Sequence, residues 1–241
     1  AEYSNGYMTL PFAPIFIAPI RILLTPIFAK ASANKDYARA METLYSSTKQ
    51  IFILLVPLIF FAFTYSREIM SFLYGDAYIN SFIYFRIILM FNFAEMFVFS
   101  SVMNAIGRTK QHFYFDILCT VLLWVADCYL VYSGSGNPYL IAAAFAFLNT
   151  SCSYLLPGLY LYKKEHICVL SMDLIKTLLK ICLHNCAVLV CVYKIICFYD
   201  IMSNPFVCLC LSLLLFYILL ILTSRVVNVD YLQVVLRFKK R

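Results

Sequence analysis

Long, almost unbroken runs of apolar residues dominate the chain, and short polar connectors separate them. Within the runs, apolar and polar side chains do not alternate with a period of two, so the pattern does not favour the strands of a transmembrane barrel. A helix needs about 20 apolar residues to cross a hydrocarbon core of about 30 Å, and by that length the sequence predicts about seven transmembrane helices. Their approximate bounds are 4–29, 50–65, 81–104, 113–133, 138–162, 178–199 and 204–224.

The connectors carry helix signals of their own. Residues 35–47 place apolar side chains on one helical face, and residues 66–75 read as a short interfacial helix that ends at a glycine C-cap. The second run, 50–65, is short for a span. It either borrows the flanking Ser47 and Thr48 or crosses where the bilayer is thinner.

The composition agrees with a membrane protein. Hydrophobic residues make up 63% of the 241 residues and charged residues 13%, and a soluble domain carries roughly twice that charged fraction. We therefore predict an all-α integral membrane protein with a single transmembrane domain over residues 1–241. The chain begins at Ala1 without the basic region of a signal peptide, and we expect the sequence to be truncated at its N-terminus.

Charge predicts the orientation of the spans. Most of the 19 Lys and Arg residues lie in the connectors after the first, third and fifth spans and in the C-terminal tail. The positive-inside rule makes these segments cytoplasmic, which predicts a multi-pass protein of the plasma or inner membrane with a cytoplasmic C-terminus. A basic rim beside anionic headgroups also accounts for the net charge of +7. Membrane lipid is therefore an expected partner, and nucleic acid is not.

The sequence gives little support to catalysis. Nine of the ten cysteines fall within apolar runs, where a thiol behaves as a small hydrophobe, and no His/Cys spacing is typical of a metal site. The three histidines are scattered, and no nucleophile motif, carboxylate pair or glycine-rich phosphate loop accompanies them. We predict that the protein is not an enzyme and that it uses no metal and no cofactor.

An ionisable residue at membrane depth costs about 2.5–3.5 kcal/mol near a helix centre, and four candidates stand out: Arg21, Arg86, Glu95 and Asp127. Arg21 lies about 12 Å from the cytoplasmic end of the first span, so it either faces a water-filled cavity or bends back to the headgroups. Arg86 is close to the outer end of the third span, and we expect it to extend to the headgroups. Glu95 and Asp127 are the two carboxylates.

Glu95 is the deepest of the four. Ser81, Tyr84, Asn92 and Glu95 fall within one quadrant of the third helix, although apolar residues interrupt this polar face. The glutamate either lines a cavity or is protonated and hydrogen-bonded within the bundle. We take Arg21, Tyr84, Asn92 and Glu95 as candidates for a substrate cavity.

Asp127 lies in the outer half of the fourth span, and Lys194 lies in the outer part of the sixth. They form a candidate pair that either fixes helix packing or takes part in ion coupling.

Prolines within the spans remove backbone hydrogen bonds and kink helices. Pro14, Pro19 and Pro57 are therefore hinge candidates, although kinks also occur in static bundles.

Several different local motifs occur between residue 1 and about residue 180. The first span ends in PIFAK at 26–30, and Pro57 interrupts the second. Residues 72–81 read FLYGDAYINS, residues 104–110 read NAIGRTK, and Gly136 precedes an alanine-rich helix start. In this order the motifs resemble the C-terminal half of polysaccharide flippases in the multidrug/oligosaccharidyl-lipid/polysaccharide exporter superfamily.

That resemblance implies the C-terminal lobe and last two helices of a MATE-like transporter, with the missing N-terminal half supplying the other lobe. It further implies alternating access around a cavity that receives the headgroup of a polyprenyl-linked glycan such as an O-antigen precursor. Arg21 would attract the diphosphate of that substrate.

Two other functions stay open. One is a drug/cation antiporter of the same superfamily, in which Glu95 or Asp127 would exchange protons or sodium. The other is a non-transporting membrane scaffold or polysaccharide polymerase subunit.

Overall fold

The computed structural model describes residues 2–6, 12–133, 137–198, 205–227, 229 and 231. The regular elements in these residues are all helical, and seven helical segments are long and apolar enough to cross a membrane. The prediction of an all-helical, multi-pass membrane protein is confirmed at that level. Gly136, part of one sequence motif, lies outside the described residues.

The helices follow one another with few residues between them. In chain order they are α1 (Glu2–Gly6), α2 (Phe12–Asn34), α3 (Ala38–Thr64), α4 (Ser66–Tyr74), a 3₁₀ turn (Asp76–Tyr78), α5 (Ser81–Glu95), α6 (Phe99–Ala105), α7 (Thr109–Tyr132), α8 (Pro138–Thr150), a π-helical turn (Ser151–Leu155), α9 (Leu156–Lys164), α10 (Met172–Phe198) and α11 (Pro205–Val227).

Helix α3 shows why the second span looked short in the sequence. It runs without interruption from Ala38 to Thr64, so the prediction of a separate connector helix over 35–47 was wrong. No glycine or proline separates the polar part of the helix from its apolar part, and the helix therefore continues through both. At its start the Asp36 carboxylate accepts a hydrogen bond from the Ala38 N–H at 3.1 Å, which satisfies one of the free donors of the first turn.

Helix α4 ends where the sequence predicts. Gly75 follows it with φ 77°, a conformation that glycine adopts without the steric cost of a Cβ. Its N–H donates to the Ser71 carbonyl at 2.9 Å, so the predicted glycine C-cap of this short helix is confirmed.

Two of the spans are irregular in their interior. Residues 96–98 are not helical, so the third span consists of α5 and α6 with a break directly after Glu95. The fifth span contains the π-helical turn Ser151–Leu155 between α8 and α9. The sequence predicts a single uninterrupted span in each of these places.

The chain forms two compact units. Unit 1 comprises Ala1–Met8, Lys49–Leu89 and Met172–Arg241, and unit 2 comprises Thr9–Thr48 and Met90–Ser171. The predicted transmembrane domain over residues 1–241 contains both. Each unit is described below by itself.

In unit 1, α11 packs against α10 and α4, and the Phe61 and Phe216 rings lie 5.7 Å apart. A buried histidine adds two side-chain hydrogen bonds to this packing. His184 Nδ1 lies 3.0 Å from the Tyr231 hydroxyl, and His184 Nε2 lies 2.8 Å from the Thr223 hydroxyl. Because Thr223 donates its own proton to the Leu219 carbonyl, Nε2–H must be the donor to Thr223 and Nδ1 the acceptor from Tyr231.

In unit 2, α2 packs against α6, and α7 packs against α8. The break after α5 and the π-helical turn both belong to this unit. Helix α7 is the least buried of the candidate spans. The ten cysteines of the chain are free thiols.

Candidate functional site

A cluster of three polar side chains lies within unit 2. Arg21 comes from α2, Glu95 is the last residue of α5, and Tyr154 lies in the π-helical turn. The Arg21 guanidinium and the Glu95 carboxylate interact electrostatically, and the Tyr154 side chain interacts with both. All three side chains are half-buried. The structure thus brings together two residues that the sequence proposed for a cavity, and it adds a third.

The backbone break after Glu95 has no glycine or proline to cause it. Instead, Met96, Val98 and Phe99 are all buried, and the Phe97 N–H donates to the Ala94 carbonyl in a tight turn at 3.1 Å. The packing of these apolar side chains therefore favours a turn over a continued helix. A helix C-terminus carries partial negative charge, which is unfavourable for a carboxylate. The positive charge of Arg21 acts in the opposite direction and favours a carboxylate at this position.

The irregular turn that carries Tyr154 has a local cause. Pro157 has no N–H and cannot bond to the carbonyl four residues before it. The Leu156 N–H instead reaches back five residues to the Ser151 carbonyl, which is the bond of a π-helix. Such wide turns occur frequently at functional sites. Sequence reasoning missed Tyr154, and the nearby proline was the one signal for it.

Arg21 lies in helix α2 between two prolines. Pro19 and Pro26 lie within the helix, and the Thr25 hydroxyl donates to the Arg21 carbonyl at 2.8 Å. The Arg21 Nε is buried and has no hydrogen-bond partner among the described residues. Part of the hydrogen-bonding capacity of the Arg21 side chain is therefore unused.

The other two cavity candidates have different surroundings. Asn92 is buried one turn before Glu95 on α5, and its Nδ2 has no hydrogen-bond partner in the described part of the chain. Tyr84 is buried in unit 1, where its ring meets that of Tyr3 edge-on at 5.5 Å. Asn92 is thus next to the cluster along its helix, whereas Tyr84 belongs to the aromatic packing of the other unit.

The remaining predicted residues are divided between the two units. Asp127 is half-buried on α7 in unit 2, and Lys194 is exposed on α10 in unit 1, so their pairing stays a prediction. Among the hinge candidates, Pro57 lies inside α3. Pro14 falls in the first turn of α2, where a backbone N–H has no intrahelical acceptor, so it removes no helical hydrogen bond.

Arg86 does not extend away from the protein as expected. Its Nε–H is shared between the Ser66 hydroxyl at 2.7 Å and the Phe63 carbonyl at 3.2 Å. Its guanidinium also lies 5.3 Å from the centre of the Phe63 ring and 4.9 Å from that of Phe82. These contacts are all within unit 1. Arg86 therefore ties the end of α3 to α5.

An open apolar groove of about 590 Å³ adjoins the polar cluster in unit 2, and Tyr154 lines it. Most of its other lining residues are aromatic or aliphatic. Among them are Met90, Phe93, Phe97, Leu155 and Tyr162. One tyrosine thus belongs both to a charged cluster and to an apolar groove.

Unit 2 also contains an ion pair outside its membrane-spanning helices. Arg108 Nε donates to Glu165 Oε1 at 2.6 Å. This hydrogen bond and the glutamate charge raise the pKa of Arg108 above its usual value. The pair joins the turn between α6 and α7 to the residue after α9.

Within the described residues, no group of three or more His, Cys, Asp or Glu side chains could hold a metal ion. Comparison of the chain with protein-family models, with curated proteins and with solved structures finds no match.

Proposed function

We propose that the protein is a membrane transporter, a flippase that moves a lipid-linked anionic glycan precursor by alternating access. The observation that carries this proposal is the double position of Tyr154, beside Arg21 and Glu95 and also in the wall of the apolar groove. A lipid-linked substrate has a charged headgroup and a long apolar chain. It therefore needs a polar site and an apolar surface next to each other.

Arg21 is the proposed contact for the headgroup. A guanidinium binds phosphate through two parallel N–H donors, and it does so more strongly where water is scarce. A diphosphate would compete with Glu95 for Arg21. When the substrate leaves, Glu95 would again balance the arginine charge, so the empty site would not hold an uncompensated cation.

The irregular backbone supports movement around this site. Transporter sites are frequently built from discontinuous helices, and both the break after Glu95 and the π-helical turn lie at the cluster. Pro19 and Pro57 remain hinge candidates in this proposal. The resemblance described above adds a second lobe to complete the cavity, and the positive-inside rule adds a cytoplasmic C-terminus.

A binding experiment tests the site directly. The purified chain in detergent is mixed with polyprenyl diphosphate or with the matching polyprenol, and bound lipid is counted by native mass spectrometry. We expect the wild type to prefer the diphosphate about tenfold or more, because a charged hydrogen-bonded pair contributes about 1.5–3 kcal/mol. Arg21→Gln should lose this preference while still binding polyprenol in the groove.

The matched control is Arg67→Gln, because Arg67 is exposed at the start of α4. It should bind both lipids as the wild type does. If Arg21→Gln retains the full preference for the diphosphate, Arg21 is not the headgroup site.

Transport is then measured in proteoliposomes with a polyprenyl-diphosphate glycan that carries a reducible fluorophore on its sugar. Dithionite added outside destroys the fluorescence of the outer-leaflet probe, and a flippase exposes the remainder. We expect faster loss with the wild type and with Arg67→Gln than with Arg21→Gln. Equal rates in liposomes with and without the wild-type protein would favour the scaffold alternative.

The antiporter alternative rests on a different observation, the half-buried carboxylate at a helix break. In that case Glu95 would carry a proton, and an imposed pH gradient would drive uptake of a lipophilic cation. Glu95→Gln would abolish that uptake. Gradient-driven cation uptake without any glycan flipping would replace the flippase proposal.

A further inference from the structure

A second groove lies beside α7 in unit 2 and shares no residue with the polar cluster. Its volume is also about 590 Å³, and it contains the Asp127 side chain. Its walls come from apolar and aromatic residues, chiefly Leu123, Trp124, Tyr132 and Phe145. Trp124 is 70% exposed and Tyr132 is 89% exposed, so these rings are open to whatever surrounds α7.

The carboxylate in this groove is not satisfied by the protein. Asp127 Oδ1 is buried and has no hydrogen-bond partner among the described residues. Nor does any cationic side chain in the described part of unit 2 form an ion pair with it. A buried carboxylate oxygen in apolar surroundings is unfavourable without a donor. The site therefore calls for an N–H donor that carries positive charge.

The depth of Asp127 indicates where that donor comes from. Asp127 lies five residues before the end of α7, which is Tyr132, or about 7.5 Å along the helix axis. At that depth the hydrocarbon core meets the headgroups, and Trp and Tyr are enriched there. Because α7 is the least buried candidate span, lipid is the natural occupant of its surface.

We propose that this groove binds the headgroup of a phospholipid with a primary ammonium group, such as an ethanolamine lipid. The ammonium N–H groups donate to the Asp127 carboxylate, and the aromatic wall adds cation–π attraction. The acyl chains lie along the apolar surface of α7. A choline headgroup carries charge but no N–H, so it leaves the Asp127 oxygen without a donor and binds more weakly.

The chain supplies its own probe, because Trp124 is its single tryptophan and lines the groove. The full chain is reconstituted into vesicles of equal parts of two phospholipids, one of which carries brominated acyl chains that quench nearby tryptophan. Ethanolamine, choline and glycerol headgroups are compared in pairs, with the bromine on each partner in turn. The extent of quenching gives the relative occupancy of the groove by each headgroup.

For the wild type we expect ethanolamine lipid to be preferred over the glycerol and choline lipids by about threefold to tenfold. Asp127→Asn should remove the preference, and Asp127→Glu, which keeps the charge, should retain most of it. The matched control is Asp116→Asn on the same helix, whose carboxylate is paired with His112 at 3.1 Å and should not affect the preference. Size-exclusion chromatography establishes that each variant is folded.

Several results would overturn the proposal. An unchanged preference in Asp127→Asn would mean that the carboxylate does not select the lipid. Equal binding of choline and ethanolamine lipids would remove the hydrogen-bonding argument. If Lys194 already neutralises Asp127, the wild type will show no preference and Lys194→Gln will create one. If another copy of the chain covers the groove, none of the brominated lipids will quench Trp124.

Discussion

Replacing Arg86 tests whether a charged residue inside a span can be structural. The side chain shares its Nε–H between the Ser66 hydroxyl and the Phe63 carbonyl, and its guanidinium stacks near two phenylalanine rings. Phe63 is the second-to-last residue of α3, so its carbonyl is one of the four that have no helical donor. Arg86→Met removes the charge and the donors but keeps an apolar stem of similar length.

The magnitude follows from these contacts. A hydrogen bond from a charged donor contributes about 1.5–3 kcal/mol, with the shared N–H counted once, and each cation–π contact adds about 0.5–1 kcal/mol. Ordering a long arginine side chain costs about 2 kcal/mol. We therefore expect Arg86→Met to lower the free energy of unfolding by about 2 kcal/mol. Arg86→Lys should lose about half as much, because it keeps the charge but not the planar group.

The assay is reversible unfolding in mixed micelles of lipid and increasing dodecyl sulfate, followed by far-UV circular dichroism. Arg67→Met is the control, since Arg67 is exposed nearby in the sequence and its loss should change stability by less than about 0.5 kcal/mol. If Arg86→Met is as stable as the control, the contacts contribute nothing net. The arginine would then be better described as reaching the headgroups, as its sequence position suggests.

Four further predictions concern stability. Arg21→Gln and Glu95→Gln should show a coupling free energy of about 1–3 kcal/mol in a double-mutant cycle, because the two charges interact without ion-pair contact. Additive changes in the free energy of unfolding would contradict this interaction. Tyr231→Phe should cost about 1–3 kcal/mol by leaving the buried His184 Nδ1 without its donor, and an unchanged free energy of unfolding would contradict that bond. Burial raises the pKa of Tyr231 to about 12. The contribution of Tyr231 to the free energy of unfolding should therefore be present below about pH 10 and be lost as the pH rises from there towards 12. Absorbance at 295 nm follows the ionisation of the tyrosine. Gly6→Ala would place a Cβ 2.5 Å from a backbone oxygen of α5, so the free energy of unfolding should fall by about 1–3 kcal/mol; an unchanged value would contradict the packing of α1 on α5.

The spans themselves were predictable because a helix needs a minimum number of apolar residues to cross a bilayer. The length of each apolar run can be read directly from the sequence. The ends of the helices were less predictable than the spans. Apolar character ends where the membrane ends, whereas a helix ends where its hydrogen bonding ends. Helix α3 therefore extends back to Ala38 and α2 extends on to Asn34, both beyond the predicted runs. The sequence could locate the end at Gly75, where a specific backbone conformation is needed, and the predicted starts at Ser81 and Pro138 also agree with the structure.

The candidate site was predictable only in part. The cost of burying charge pointed to Arg21 and Glu95, and the structure brings these two together. The break after Glu95 could not be foreseen, because Met96 and Val98 are ordinary helix residues and only their burial favours the turn. Tyr154 looked like one more aromatic residue of an apolar span.

The π-helical turn has a consequence for how this span tolerates changes in length. A π turn holds one more residue than an α turn, so the segment Ser151–Leu155 stores a single surplus residue. Deleting one residue elsewhere in a membrane helix rotates everything beyond it by about 100°. Deleting one here would instead convert the turn to regular α-helix, at the expense of turning Tyr154 away from Arg21. Chain length in this segment thus sets which face of the span meets the polar cluster, independently of which side chains it carries.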